Sequence, residues 1–224
     1  MISAFDRILI AVADLDAAVA DYEVLLGPCQ RVSGVARLPL QNVCIELRPS
    51  ERGPAHIQGL SLLDDELSGP VLSPLDGNNR GLQLFRSGLR VTQPLPPPTA
   101  TGVHAVDHLV LKTVDADDCI RLFGEPGLGL RLALDREVPE WGGRMLFFRH
   151  GKMTLEVIQF SEDPPDRDHF WGITYQCADI EATLAALDAR GVAHSPMREG
   201  RKPGTRVATV KSHCLGLPTL LIGT

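Results

Sequence analysis

No excess of basic residues marks this chain. Its 22 Lys and Arg stand against 28 Asp and Glu, a formal net charge of −6. Nucleic-acid and anionic-membrane surfaces need clustered cations, so neither is expected as a partner. A long uncharged run is also missing. The apolar N-terminal stretch MISAFDRILIAVADLDAAV is interrupted by Asp6, Arg7, Asp14 and Asp16, and reads as neither a signal peptide nor a membrane span. The five cysteines, Cys29, Cys44, Cys119, Cys177 and Cys214, are scattered, and no two form a CxxC pair. That argues against a zinc knuckle and for buried free thiols in a reducing cytosol, hence a cytoplasmic protein. Heptads and charge runs are absent too, which leaves a scaffolding role without support.

What is present is an ordinary globular composition, 44% hydrophobic and 22% charged, in a length that suits one large domain or two small ones. The segment QPLPPPTATG (93–102) holds four prolines in ten residues and reads as a stiff connector. It separates an N-terminal domain over 1–92 from a C-terminal domain over 103–224.

The two halves echo each other. FDRILIAVADLDAAVADYEVLLG (5–27) and VDHLVLKTVDADDCIRLFG (106–124) each run from a basic residue, Arg7 or His108, through an apolar strand to an Asp seven positions on. WGITYQCADIEATLAALDARG (171–191) repeats the pattern with Gly172 and Asp179, and GLSLLDDE (59–66) opens a worn fourth copy. Each Asp is a natural N-cap for an amphipathic helix. Strand-like segments follow, LRLAL, RMLFFR and MTLEVIQ after the second opening, TRVATV and PTLLIG after the third. The repeating unit is βαβββ.

Repeated βαβββ units, with His108 opening a first strand and Glu156 inside the last strand of the same unit (TLEVIQ), resemble the vicinal oxygen chelate superfamily. That group includes glyoxalase I, extradiol dioxygenases, methylmalonyl-CoA epimerase and bleomycin-resistance proteins. The resemblance implies an α+β fold in which repeated βαβββ modules form open, barrel-like mixed sheets, here four modules in two domains. The modules fall at roughly 3–50, 55–90, 104–160 and 168–224. It also implies a homodimer, because modules of such proteins can pair between chains.

In the family each module can offer one metal ligand from its first strand and one from its last. Those positions hold Arg7 and Glu46, Gly59 and Gln83, His108 and Glu156, and Gly172 and Leu221. Only His108 and Glu156 suit a divalent ion (Fe, Mn, Ni, Co or Zn). A third ligand would come from His104, His150, His169 or His213. Arg7 and Glu46 read instead as a salt bridge in place of a lost metal site. Trp141, Phe148, Arg144 and Arg149 are candidates for an aromatic wall and for cations that would bind a carboxylate.

With these residues, the resemblance implies a metal-assisted lyase or isomerase acting on a small substrate with adjacent oxygens, such as an aromatic or acyl carboxylate. Glu156 would be a ligand or the general base. A metal-free small-ligand binder of bleomycin-resistance type is the alternative. A ring-cleaving dioxygenase is a further one, against which Gly172 and Leu221 weigh.

Overall fold

Asp14, Asp115 and Asp179 all act as the N-caps that their positions suggest. Their carboxylates accept from the backbone N–H groups of Asp16 and Ala17, of Asp118, and of Ala182. Each stands in extended backbone at the end of a long strand and turns the chain into a helix. The structure is a computed structural model that describes all residues except 52, 78 and 89–98, together with the side chain of Trp141. Most of the expected proline-rich connector therefore lies outside the described residues.

The first module comprises β1 (Ile2–Val12), α1 (Leu15–Leu26), β2 (Gln30–Val32), β3 (Val35–Pro39) and β4 (Cys44–Pro49). The second holds β5 (His56–Asp64), β6 (Ser73–Pro74) and β7 (Gln83–Ser87), and has no helix among the described residues. The third contains β8 (Val103–Lys112), α2 (Ala116–Phe123), β9 (Arg131–Val138), β10 (Gly143–His150) and β11 (Met153–Phe160). The fourth consists of β12 (His169–Cys177), α3 (Ile180–Asp188), β13 (Arg198–Glu199), β14 (Arg206–Val210) and β15 (Thr219–Gly223).

These strands form two open mixed sheets. One has seven strands in the order β2-β3-β4-β1-β5-β7-β6, the other eight in the order β13-β14-β15-β12-β8-β11-β10-β9. In each sheet two modules meet through their first strands, which pair antiparallel, while each first strand pairs parallel with the last strand of its own module. A first strand is thus flanked by two neighbours, so its outward side chains meet groups from both. No helix among the described residues is long and apolar enough to cross a membrane.

Strand alternation divides the C-terminal sheet into two faces. Leu109, Leu111, Leu155, Val157, Tyr175 and Leu221 lie on the helix side and are fully buried. His108, Val110 and Lys112 lie on the other side, which carries the polar groups. The apolar core runs without a break through residues of both halves, among them Tyr22 of α1 and Tyr175 of β12.

Polar groups also tie the halves together. Asn42 stands in for a strand partner of Val106, accepting from its N–H at 3.0 Å and donating to its C=O at 2.7 Å. Arg80 donates to buried Asp168 at 2.5 Å, and Asp168 also accepts from the Thr113 hydroxyl and the Val114 N–H.

Candidate functional site

β8 and β11 run parallel, with His108 opposite Thr154 and Val110 opposite Glu156. Glu156 is thus one pleat further along than His108, on the same face. Their side chains close the diagonal, and His108 Nε2 lies 3.2 Å from Glu156 Oε2. The antiparallel neighbour β12 places Thr174 directly opposite His108, and its Oγ1 is 2.8 Å from the same nitrogen. The His108 and Glu156 side chains keep 19% and 12% of their exposure, so a molecule on this face can reach both. Thr174 is buried beneath them.

The other ring nitrogen is held by a residue that the repeat pattern showed but that sequence reasoning passed over. The register between β8 and β12 shifts after the Thr174–His108 pair, and Tyr175 next pairs with Val106. Asp107 is left over as a β-bulge, a device that re-aims a side chain. Its Oδ2 lies 2.8 Å from His108 Nδ1, and its Oδ1 accepts from Gln176 Nε2 at 2.7 Å. The bond to His108 and that from Gln176 hold the Asp107 carboxyl below its ordinary range, against the opposing effect of burial.

The N-terminal sheet repeats this construction with different chemistry. Phe5 pairs with Leu62 and Arg7 with Ser61, so Asp6 is again the unpaired bulge residue. Arg7 Nε donates to Asp6 Oδ2 at 2.7 Å and its Nη1 to Glu46 Oε2 at 3.3 Å. Its Nη2 donates to the Pro70 carbonyl at 2.6 Å, and Ser87 donates to Asp6 at 2.7 Å. Arg37 and Arg48 bond Glu46 from the solvent side, each at 2.8 Å. Burial pushes the Glu46 carboxyl up, but these two guanidinium groups outweigh it and hold it below its usual value. Arg7 is 1% exposed. Where the C-terminal sheet leaves an imidazole and a carboxylate open, the N-terminal sheet buries an ion cluster.

The sequence spacing assigned the first-strand positions of modules two and four to Gly59 and Gly172. Across the seam between modules, strand register puts Ser61 opposite Arg7 and Thr174 opposite His108. The glycines answer to a steric demand from the parallel neighbour. A Cβ on Gly59 would stand 2.4 Å from the Gln83 carbonyl oxygen, and one on Gly172 would stand 2.7 Å from that of Pro218. Leu221 is core and Gln83 is exposed. Gly59→Ala is therefore expected to destabilise the fold by about 1–3 kcal/mol, because the contact is with backbone. Urea unfolding reads this directly, and an unchanged midpoint would mean that β5 and β7 part without cost.

Of the remaining candidates, only Arg149 shares the His108 face among the described residues. Phe148 is core, packed on Phe123 of α2 with ring centroids 5.6 Å apart. Arg144 bonds Asp135 and Asp117 of α2, on the helix side. Arg149 is exposed and pairs opposite Thr154, with its Nε 3.4 Å from the Thr154 hydroxyl. Trp141 ends a short 3-10 turn, and its side chain lies outside the described residues. A cation with aromatic neighbours does exist, from other residues. Lys112, two pleats along β8 from His108, sits 4.4 Å from the Trp171 ring and 5.4 Å from that of Phe160. It borders a cleft of about 390 Å³ with Asp163, Asp166 and His169. A second cleft, of about 280 Å³, lies between Phe5, Asn42, His150 and Met153, and neither reaches His108.

The 3.2 Å between Nε2 and Oε2 suits two ligands of one divalent ion, and a carboxylate on Nδ1 is the usual support of a ligating histidine. The donor count does not suffice. Among the described residues no group of three or more His, Cys, Asp and Glu side chains converges, and Asp107 faces the wrong ring nitrogen to join. His104, His169 and His213 bond instead to Gly102, Arg167 and Ser212. Protein-held sites need three ligands, so His108 and Glu156 do not by themselves fit a resident metal.

Comparisons with known proteins agree with this architecture. Residues 107–209 match the family model of the glyoxalase/bleomycin resistance protein/dioxygenase superfamily. A triple mutant of 4-hydroxymandelate synthase from Streptomyces coelicolor superposes with a TM-score of 0.70 at 17% identity, over 100% of this chain and 93% of that one. Methylmalonyl-CoA epimerase from Mycobacterium tuberculosis is similar at a TM-score of 0.47 and 16% identity, over 55% of this chain and 90% of that one. No curated protein matches the sequence significantly. Residues 107–209 thus match the sequence pattern of that superfamily, and the two sheets together share the fold of 4-hydroxymandelate synthase.

Proposed function

We propose that this protein is an isomerase or lyase that moves a proton on a small substrate with adjacent oxygen atoms. The observation that supports this reading is the His108–Glu156 pair, 3.2 Å apart and partly exposed on one face of the sheet. The Glu156 carboxylate takes a proton from carbon beside a carbonyl, and the electron pair of the broken C–H bond moves onto the carbonyl oxygen as an enolate. The proton then returns to a neighbouring atom from Glu156 or through His108 Nε2. Both groups stand on the same side of the substrate, which suits transfer between adjacent positions. It does not suit epimerisation by two bases on opposite sides. Lys112 and Arg149 lie on the same face and favour a substrate that carries a carboxylate.

No step here runs through a metal, since the converging donors among the described residues number two. Binding without turnover is the second reading, favoured by that same count. The two separate in one experiment. The protein is incubated in D₂O with a panel of small 2-oxo and 2-hydroxy carbonyl compounds, and deuterium uptake at carbon is followed by ¹H NMR. Uptake that is lost in Glu156→Gln supports the enzyme. Compounds that shift protein signals but take up no deuterium would make it a binding protein.

A further inference from the structure

We propose that the His108 face of the C-terminal sheet takes an elongated substrate, with its carbonyl at Glu156 and a single carboxylate at its far end on Lys112. Resting on the reading of Glu156 as the reacting end, this names the substrate class of that site. Along β8 the face carries His108, Val110 and Lys112, so Lys112 stands about 13 Å from His108 at the rise of a strand. The ground between them is apolar. Ile158 of β11 lies opposite Lys112, and Phe147 and Met145 of β10 lie opposite Glu156 and Ile158. Val110 and Met145 are buried on this face, although the helices pack on the other.

The Lys112 ammonium rests against aromatic rings rather than on a carboxylate. Its Nζ lies 4.4 Å from the centroid of Trp171 and 5.4 Å from that of Phe160, and both ring faces attract a cation. Among the described residues no carboxylate pairs with it. Its charge is thus positioned but not neutralised. Asp163 and Asp166 border the same cleft, and their charge opposes a dianion such as phosphate more than a single carboxylate.

The fold requires the local backbone here, but not the charge. Trp171 is the unpaired residue of a bulge in β12, between Phe170 opposite Leu111 and Gly172 opposite Val110. In the N-terminal sheet Gln58 is unpaired at the same place in β5, between Ile57 opposite Ile10 and Gly59 opposite Leu9. There the position of Lys112 is held by Ala11, which pairs with His56 as Lys112 pairs with His169. The same bulge therefore forms without an ammonium or an indole. Trp171 is 40% exposed, so its ring and the Lys112 charge are both within reach of a ligand. A cation beside an apolar strip is the arrangement that binds a carboxylate on a hydrocarbon or aromatic body.

Titration of the ¹⁵N-labelled full chain, followed by ¹H–¹⁵N correlation, tests this as binding alone. The probes are α-hydroxy ketones that end in a carboxylate, with spacers of about two, four or six methylene groups, and the methyl ester of each. The longest acid is expected to bind best, because it spans the strip, and about tenfold more tightly than its ester. Lys112→Met should abolish that advantage, while Lys112→Arg should keep it. Should Lys112→Met fail to fold, Lys112→Gln reads the same loss. Acid and ester of equal affinity, an advantage that survives in Lys112→Met, no dependence on spacer length, displacement of the long acid by equimolar inorganic phosphate, or no binding of any probe would each overturn the proposal. No turnover is measured. An acid-over-ester ratio that depends on Lys112 therefore stands even if no compound takes up deuterium, and uptake without that ratio would keep Glu156 as the base and remove Lys112.

Discussion

Arg7→Met is expected to be the most destabilising single change in the chain, at about 3–5 kcal/mol, because it removes one side of a buried ion cluster. The Asp6 carboxylate would lose its 2.7 Å guanidinium bond and Glu46 one of its three, and the Pro70 carbonyl would lose a donor. For a chain of this size the loss corresponds to a fall in Tm on the order of 10 °C. The double change Arg7→Met with Asp6→Leu should recover part of the loss, since it removes the stranded charge as well. Acid stability provides a second readout. The Glu46 carboxyl lies below its ordinary value in the fold, so it contributes stability above the unfolded carboxylate pKa of about 4.3 and loses it as pH falls. Arg7→Met weakens that depression and should move the acid midpoint to higher pH. A variant within about 1 kcal/mol of wild type in guanidinium unfolding would show that the cluster only breaks even with its desolvation.

Glu156→Gln carries the largest expected effect on activity. A positioned general base contributes about 10²- to 10⁴-fold, so deuterium uptake by any compound that the wild type exchanges should fall by that range. Binding should change far less, because the amide keeps the shape and one acceptor oxygen of the carboxylate. His108→Gln should lower uptake as well while leaving Glu156 in place. A Glu156→Gln protein that exchanges at the wild-type rate would remove Glu156 from the chemistry and leave His108 as the next candidate base on this face.

Much of this site could be read from residue order. The recurrence of a polar residue, an apolar strand and a capping Asp located three of the four modules. The pairing of His108 with Glu156 was implied by the family resemblance, which sets one site residue on the first strand of a βαβββ unit and one on the last. The substitution of Arg7 and Glu46 for a metal pair could also be read, since an arginine and a carboxylate at those positions can only attract each other. Asp107 was legible as well. It repeats Asp6 at the same place in the FDR and VDH openings, but the repeat pattern does not say that the residue is a bulge.

The misplaced residues share one cause. Phe148 follows Phe147 directly, and a strand sends successive side chains to opposite faces, so choosing the wrong aromatic of the two chooses the wrong side of the sheet. Phe147 pairs with Glu156 across β10 and β11, while Phe148 fills the core. Arg144 and Arg149 differ by five positions and so also point to opposite faces. Gly59 and Gly172 fell at the expected spacing, and antiparallel register pairs them with Leu9 and Val110, leaving Ser61 and Thr174 opposite Arg7 and His108.

The sequence by itself determined the local rules of this protein. It set which segments are strands, where helices begin, and that one module pair keeps a histidine and a carboxylate while the other has an arginine in that place. Those features depend on the alternation of apolar residues and on the capping chemistry of Asp, which act over a few positions. Only the tertiary structure decided which groups meet. Strand register, two bulges and the approach of a parallel neighbour depend on pairings between segments some 40 to 70 residues apart, and no local pattern encodes them. Those pairings place Thr174 beneath His108, turn Asp107 onto its ring, and leave Glu156 beside it on the face where a substrate can arrive.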